Sequence, residues 1–307
     1  MNRQIYIFLF FSILIAASCS DAPEGVENIL IKGSDTEVNL ALSLAETYMK
    51  KDSMISIAVT GGGSGAGIAS LLNGKTDIAN SSRPLKQEEY AIAEERGIDP
   101  MPTVFAMDAL AIVVNDQLAV DSVTVDEVGA IYRGEITNWS EVGGPDRDIS
   151  LYGRQSNSGT FVYFRDSILV GEYSSDLKQM NGTAQMVEAI KTDEAGVGYV
   201  GVGYVVEKDG SITSNIKVLN IKAEETSAAA APTKIENVTS GLYPIVRPLF
   251  QYTDGKPTGK LRDFMLFGLS AEGQKIVEKN GYYPVSKKYF AQNEKVLNFQ
   301  YANATPN

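Results

Sequence analysis

The chain contains no histidine and a single cysteine, Cys19, in its 307 residues. The lack of histidine excludes Ser-His-Asp and Cys-His catalysis, and it removes a frequent zinc ligand. One cysteine cannot form a disulfide within the chain. We therefore expect a protein that is not an enzyme and that holds no metal and no cofactor.

Positive charge is also scarce. The chain has 27 lysines and arginines against 38 aspartates and glutamates, which gives a net charge of −11. Because such a surface repels phosphate backbones, we expect no nucleic-acid partner. An anion would have to be bound in a local pocket. The length allows two lobes with a sizeable core.

The N-terminal apolar run, residues 5–17, is too short to cross a membrane comfortably as a helix. It follows Arg3 and precedes small residues and Cys19, which is the pattern of a signal peptide. The residues before Cys19 resemble a bacterial lipobox, although leucine is more usual where Ala16 stands. We predict a signal peptide over residues 1–18, lipidation of Cys19 and a tether over residues 19–27. The protein would then be exported and anchored by lipid on the periplasmic or cell-surface side of a bacterial membrane.

Strand-like and helix-like segments alternate from residue 28 to residue 96, which predicts a parallel sheet covered by helices. The apolar run 103–114 is long enough to cross into a second lobe, and residues 243–252 are predicted to return. A capping box at residues 124–127 predicts a helix start there, and Thr183 is predicted to cap a further helix. Trp139 is interpreted as a loop anchor, with sugar stacking as the alternative.

The segment 152–161, Tyr-Gly-Arg-Gln-Ser-Asn-Ser-Gly-Thr-Phe, lies between a predicted strand and a predicted helix. Ser158, Gly159 and Thr160 bring hydroxyls and free amides to the helix start, where the partial positive charge suits an anion. Arg154 adds a guanidinium fork that matches phosphate or carboxylate. The alternative is a helix capped by Ser158, with Arg154 on a solvated loop.

The glycine-rich segment 60–67 also follows a predicted strand. It matches a relaxed dinucleotide fingerprint only weakly, and a flexible turn remains an alternative. An anion loop is favoured because residues 33–36, 81–83 and 154–160 place similar hydroxyls at other strand ends. In an open α/β sheet, ligands bind beyond the carboxyl ends of the strands. The convergence predicts an anion site.

Together these segments resemble the phosphate-binding component of bacterial phosphate ABC importers, the PstS-like proteins, over nearly the whole mature chain. The matching segments are residues 31–36, 62–65, 77–83, 128–139, 154–160 and 243–248. The resemblance implies an α/β, two-lobed periplasmic binding protein fold of type II with a two-stranded hinge. We expect residues 28–108 and 246–307 to form the first lobe, and residues 109–245 to form the second.

The resemblance also implies the ligand-binding residues, which are Ser34, Thr36, Ser64, Ser82, Arg154, Ser158, Gly159 and Thr160. Some members have an aspartate where Ser82 stands, which accepts the phosphate proton, and another where Ser156 stands, which steadies the arginine. This chain resembles the branch with Ser-Arg instead, so Arg83 is a candidate second cation. We hypothesise that Asp35 accepts the phosphate proton. The alternative is that Asp35 caps the helix that follows it.

The function implied is the binding of inorganic phosphate by a monomer and its delivery to the subunits of an ABC permease in the membrane, without catalysis. One alternative is a phosphate-binding sensor or adhesin that is not coupled to transport. Another is a phosphate-ester hydrolase with Ser64 or Ser158 as nucleophile, which would have to work without histidine or an evident metal cluster.

Overall fold

The computed structural model describes residues 25–207 and 209–301. The predicted signal peptide and Cys19 lie outside these residues. Within them, the search for a helix that is both long and apolar enough to cross a bilayer finds none.

Strands and helices alternate through the described chain. The strands are β1 (Glu27–Gly33), β2 (Ile55–Thr60), β3 (Ile78–Ser81), β4 (Pro100–Asn115), β5 (Ser122–Thr124), β6 (Ser150–Arg154), β7 (Lys178–Met180), β8 (Gly196–Gly201), β9 (Ile216–Val218), β10 (Asn220–Lys222) and β11 (Val246–Asp254). The α-helices are α1 (Val38–Met49), α2 (Ser64–Leu71), α3 (Gln87–Arg96), α4 (Val125–Arg133), α5 (Gly159–Phe164), α6 (Thr183–Thr192), α7 (Ile235–Thr239), α8 (Gly259–Leu269), α9 (Ala271–Lys279) and α10 (Phe290–Leu297).

The first half of the sheet has the strand order β2-β1-β3-β11-β4. β1 runs parallel to β2 and β3, as the alternation of strands and helices predicts. β11 is antiparallel to β3 and β4, so the returning chain closes this half between them. The carboxyl ends of β1, β2 and β3 therefore meet at one edge.

The second half has the order β4-β8-β6-β7, with β9 also paired to β4. β8 is antiparallel to β4, while β6 is parallel to β7 and β8. A separate parallel pair joins β5 and β10. The carboxyl end of β6 lies beside that of β7, which positions the segment after Arg154.

β4 connects the two halves. Residues 100–109 pair with β11, and residues 110–114 pair with β8. The register places Asp108 opposite Arg247, where the chain passes between the halves. The lobe boundaries at residues 108 and 245 stay a prediction, but β4 and β11 are the strands that cross near them.

Local sequence signals explain several helix starts and one anchor. Thr124 and Glu127 form the predicted capping box of α4. Trp139 is fully buried, and its indole nitrogen donates to the Ala195 carbonyl over 3.0 Å, which is the anchor interpretation rather than sugar stacking. The prediction that Thr183 caps α6 is wrong, because Gly182 occupies the cap position.

Candidate functional site

Three buried serines from the first half of the sheet lie together. Ser34 follows β1, Ser64 begins α2 after β2, and Ser82 follows β3. Ser34 Oγ donates to Ser82 Oγ over 3.1 Å, and the Ser82 amide donates to Ser64 Oγ over 3.1 Å. The parallel strands thus bring predicted site residues from three separate segments into one hydroxyl cluster.

The start of α5 reaches this cluster from the second half of the sheet. Ser158 caps the helix by accepting from the Thr160 and Phe161 amides over 3.2 and 3.4 Å. A Cβ atom on Gly159 would lie 2.2 Å from Ser64 Oγ, so only glycine permits this approach. First-turn amides have no partner within their helix, and the Gly159 amide is one of them.

Thr36 and Thr160 join the two halves directly. Their hydroxyl oxygens are 2.9 Å apart. Nη2 of Arg247 donates to Thr160 Oγ1 over 3.0 Å and to Thr36 Oγ1 over 3.5 Å. Arg247 is 1% exposed and lies at the centre of the cluster. The analysis of the sequence missed it as a site residue, although a lone arginine in the apolar returning strand is a signal for a buried cation.

Asp108 on β4 holds Arg247 in place. Its Oδ2 accepts from Nε and Nη2 of Arg247 over 3.0 and 2.9 Å, and its Oδ1 accepts from the Val202 amide over 3.3 Å. Burial raises the pKa of Asp108, and the neighbouring Arg247 guanidinium opposes that rise. The pair places a fixed cation beside the hydroxyls while Asp108 balances its charge.

Arg154 is 2% exposed, so the alternative of a solvated loop is wrong. Its Nη1 donates to Thr183 Oγ1 over 2.8 Å, and its Nη2 donates to Asp35 Oδ2 over 2.5 Å. Its buried Nε has no hydrogen-bond partner within the described residues. Arg154 therefore retains an N–H donor that is not used by the protein. The Thr183 hydroxyl positions the guanidinium instead of capping α6.

Asp35 reaches Arg154 from the opposite half of the sheet. Its Oδ1 also accepts from the Gly62 amide over 2.8 Å. The alternative that Asp35 caps α1 is wrong, since Glu37 occupies the cap position and no side chain caps that helix. Each Asp35 oxygen already accepts one hydrogen bond, so the acceptor of a phosphate proton is better sought elsewhere.

The structure does not bring the Arg83 guanidinium to the cluster. Nη1 and Nη2 of Arg83 donate to the two carboxylate oxygens of Glu89 over 2.7 and 2.6 Å. Successive side chains at a strand end point to opposite sides, so the residue after Ser82 faces away from it. As the second cation, Arg247 takes the position for which the sequence proposed Arg83.

The described contacts assemble an anion-binding arrangement. Two buried arginines, five hydroxyls and the first amides of α5 converge from both halves of the sheet. The hydroxyls belong to Ser34, Thr36, Ser64, Ser82 and Thr160. Each arginine is paired with one aspartate, so the ion pairs add little net charge, and the free donors decide what binds.

Comparison with known proteins places the chain in a family. The model of the family described as PBP superfamily domain matches residues 20–272. The phosphate-binding protein PstS of Bacillus subtilis is 30% identical over 304 residues, which cover 93% of this chain and 95% of that protein. Protein SphX of Synechococcus elongatus is 31% identical over 268 residues, which cover 84% of this chain and 77% of that protein.

A solved structure agrees with the sequence relatives. The substrate-binding protein of a phosphate ABC transporter from Clostridium perfringens, solved with bound phosphate, is similar with a TM-score of 0.73 and 26% identity. The match covers 85% of this chain and 100% of that chain. It confirms the predicted two-lobed α/β fold.

Proposed function

The chain belongs to the PBP superfamily and, within it, to the PstS family of phosphate-binding proteins, and from this premise we propose that it binds inorganic phosphate outside the cytoplasm for delivery to an ABC-type permease. The observation that carries the proposal is the convergence of five hydroxyls, the α5 amides and two buried arginines. Tetrahedral phosphate oxygens accept hydrogen bonds in several directions, and this arrangement offers donors from several directions.

Binding draws on both lobes. The Thr36–Thr160 contact and the Asp35–Arg154 ion pair both join segments that follow β1 to segments that follow β6. The Gly65 amide also donates to the Asn157 carbonyl over 2.9 Å. A phosphate held between these segments would stabilise the closed arrangement, as in hinge closure around a ligand.

We propose that the protein acts without catalysis. The Ser158 hydroxyl accepts two amide hydrogen bonds as a helix cap, and the sequence supplies no histidine as a general base. Purified protein is expected to leave a chromogenic phosphate ester intact. Turnover that is lost in Ser64→Ala or Ser158→Ala would favour the hydrolase alternative.

Calorimetric titration and native mass spectrometry test the binding function. Gently purified protein is expected to retain one phosphate, and stripped protein is expected to bind phosphate more tightly than sulfate. The native mass also tests the proposal that the protein is a monomer. Absence of both retained phosphate and binding heat would contradict the function. Phosphate uptake by cells that lack the protein would separate transport from a sensor or adhesin role.

Cys19→Ser tests the proposed lipid anchor. The variant is expected to accumulate as unprocessed precursor or as released protein, because the thiol that receives the lipid is absent. A single acyl chain anchors only marginally, whereas two signals anchor stably, so loss of lipidation has a large effect on membrane retention. Intact-mass measurement and membrane fractionation check this result. An unchanged acyl mass on the variant would show that Cys19 is not the lipidated residue.

A further inference from the structure

Glu37 is a buried carboxyl group beside the hydroxyl cluster that the proposed binding mode leaves unused. It ends the 3-10 turn Asp35–Glu37, and it is 0% exposed. Neither carboxyl oxygen has a hydrogen-bond partner within residues 25–207 and 209–301. Because a buried polar group without a partner costs free energy, a purely structural role would favour an apolar side chain here.

Polar groups from several elements face this carboxyl and fix its protonation. They are Ser34 in the same loop, Asp108 on β4, Tyr204 after β8, Arg247 on β11 and Tyr282 after α9. Burial raises the pKa of Glu37 well above its ordinary value. The Ser34 hydroxyl and the Arg247 charge oppose that rise, and the Asp108 charge adds to it. At neutral pH, Glu37 therefore presents one O–H donor and one carbonyl acceptor.

The other carboxyl groups at the site are already engaged. Asp35 accepts from Arg154 and from the Gly62 amide, and Asp108 accepts from Arg247 and from the Val202 amide. Within the described chain, Glu37 is thus the carboxyl beside the cluster that has two unpartnered oxygens. Its neighbour Ser34 belongs to the cluster through Ser82. An anion bound by these serines adjoins Glu37.

On the basis of the proposed function, we propose that Glu37 recognises the proton that bound phosphate carries and sulfate lacks. The neutral carboxyl donates its O–H to one phosphate oxygen, and its carbonyl oxygen accepts the P–O–H of another. No covalent bond changes, and both protons stay where they are. Bound sulfate would face the same carbonyl oxygen with a lone pair, which is unfavourable in a desolvated site.

Competition titrations of phosphate and sulfate test this role in Glu37→Met and Glu37→Gln. Methionine has a similar length and an apolar, adaptable side chain, so it fills the space but removes both hydrogen-bonding groups. The ratio of phosphate to sulfate affinity is expected to fall by about tenfold or more in Glu37→Met, through weaker phosphate binding. Glutamine keeps one donor and one acceptor, so its ratio is expected to stay within about threefold of the parent.

Glu127→Gln on α4 is the matched control for the loss of a carboxyl group outside the site. Its affinity ratio is expected to equal that of the parent. A Glu37→Met ratio within about threefold of the parent would overturn the inference while phosphate binding itself stands. Loss of phosphate binding by the unmodified protein would instead overturn the proposed function, so the two failures are distinguishable.

Thermal unfolding against pH provides a second test, which does not need the ligand. A carboxyl with a raised folded-state pKa contributes stability below its unfolded-state pKa, and this contribution is lost as pH rises. The unmodified protein is therefore expected to lose stability relative to Glu37→Gln between about pH 5 and pH 9. A stability difference that does not change over this range would show that Glu37 ionises in the folded protein, and it would contradict the neutral donor.

Discussion

Arg154→Met is expected to weaken phosphate binding by about two orders of magnitude or more. Arg154 is buried, and its Nε donor has no protein partner among the described residues. Removal of one member of a desolvated, charge-assisted pair costs about 3–5 kcal/mol, and about 1.4 kcal/mol corresponds to a tenfold change in affinity. Calorimetric titration of the stripped variant with phosphate measures the effect.

The ligand-free Arg154→Met protein is expected to unfold at nearly the same temperature as the parent. Asp35 keeps its hydrogen bond from the Gly62 amide, and its side chain is 17% exposed, so water can hydrate the charge that loses its partner. Arg147→Met is the control, because Arg147 pairs with Glu194 on the surface. A phosphate affinity of Arg154→Met within about threefold of the parent would exclude Arg154 from the binding site.

The part of the site that parallel strands build was predictable from the sequence. Ser34, Ser64 and Ser82 each follow a strand of the same parallel set, so a local pattern and one topological rule place them together. The start of α5 was predictable for the same reason, because Ser158 and Gly159 mark a helix terminus in the sequence itself. Whether these residues bind phosphate stays a prediction.

The arginine partners could not be predicted in this way. Arg247 meets Asp108 only because β11 is antiparallel to β4, in a register that no local pattern specifies. Arg83 is adjacent to Ser82 in sequence, but the alternation of side chains directs it to Glu89. Thr183 has the composition of a helix cap, and its contact with Arg154 depends on the pairing of β6 with β7.

Arg247→Met is expected to reduce both stability and phosphate binding. Asp108 is 0% exposed and loses both hydrogen bonds from Arg247, so an unpaired buried carboxylate remains, at a cost of about 3–5 kcal/mol. Loss of the cation removes the force that lowers the pKa of Asp108. Because a raised folded-state pKa makes stability fall as pH rises, the destabilisation is expected to increase from about pH 5 to pH 8.

The double variant Asp108→Asn with Arg247→Met separates the two roles of Arg247. It removes the unpaired charge, so most of the lost stability is expected to return. Phosphate affinity is not expected to return, because Thr160 and Thr36 still lack the guanidinium that joins them. Denaturant unfolding and calorimetric titration of the parent, both single variants and the double variant give the complete cycle. If the double variant binds phosphate as tightly as the parent, Arg247 supports the fold alone, and the second cation of the site has to be a different residue.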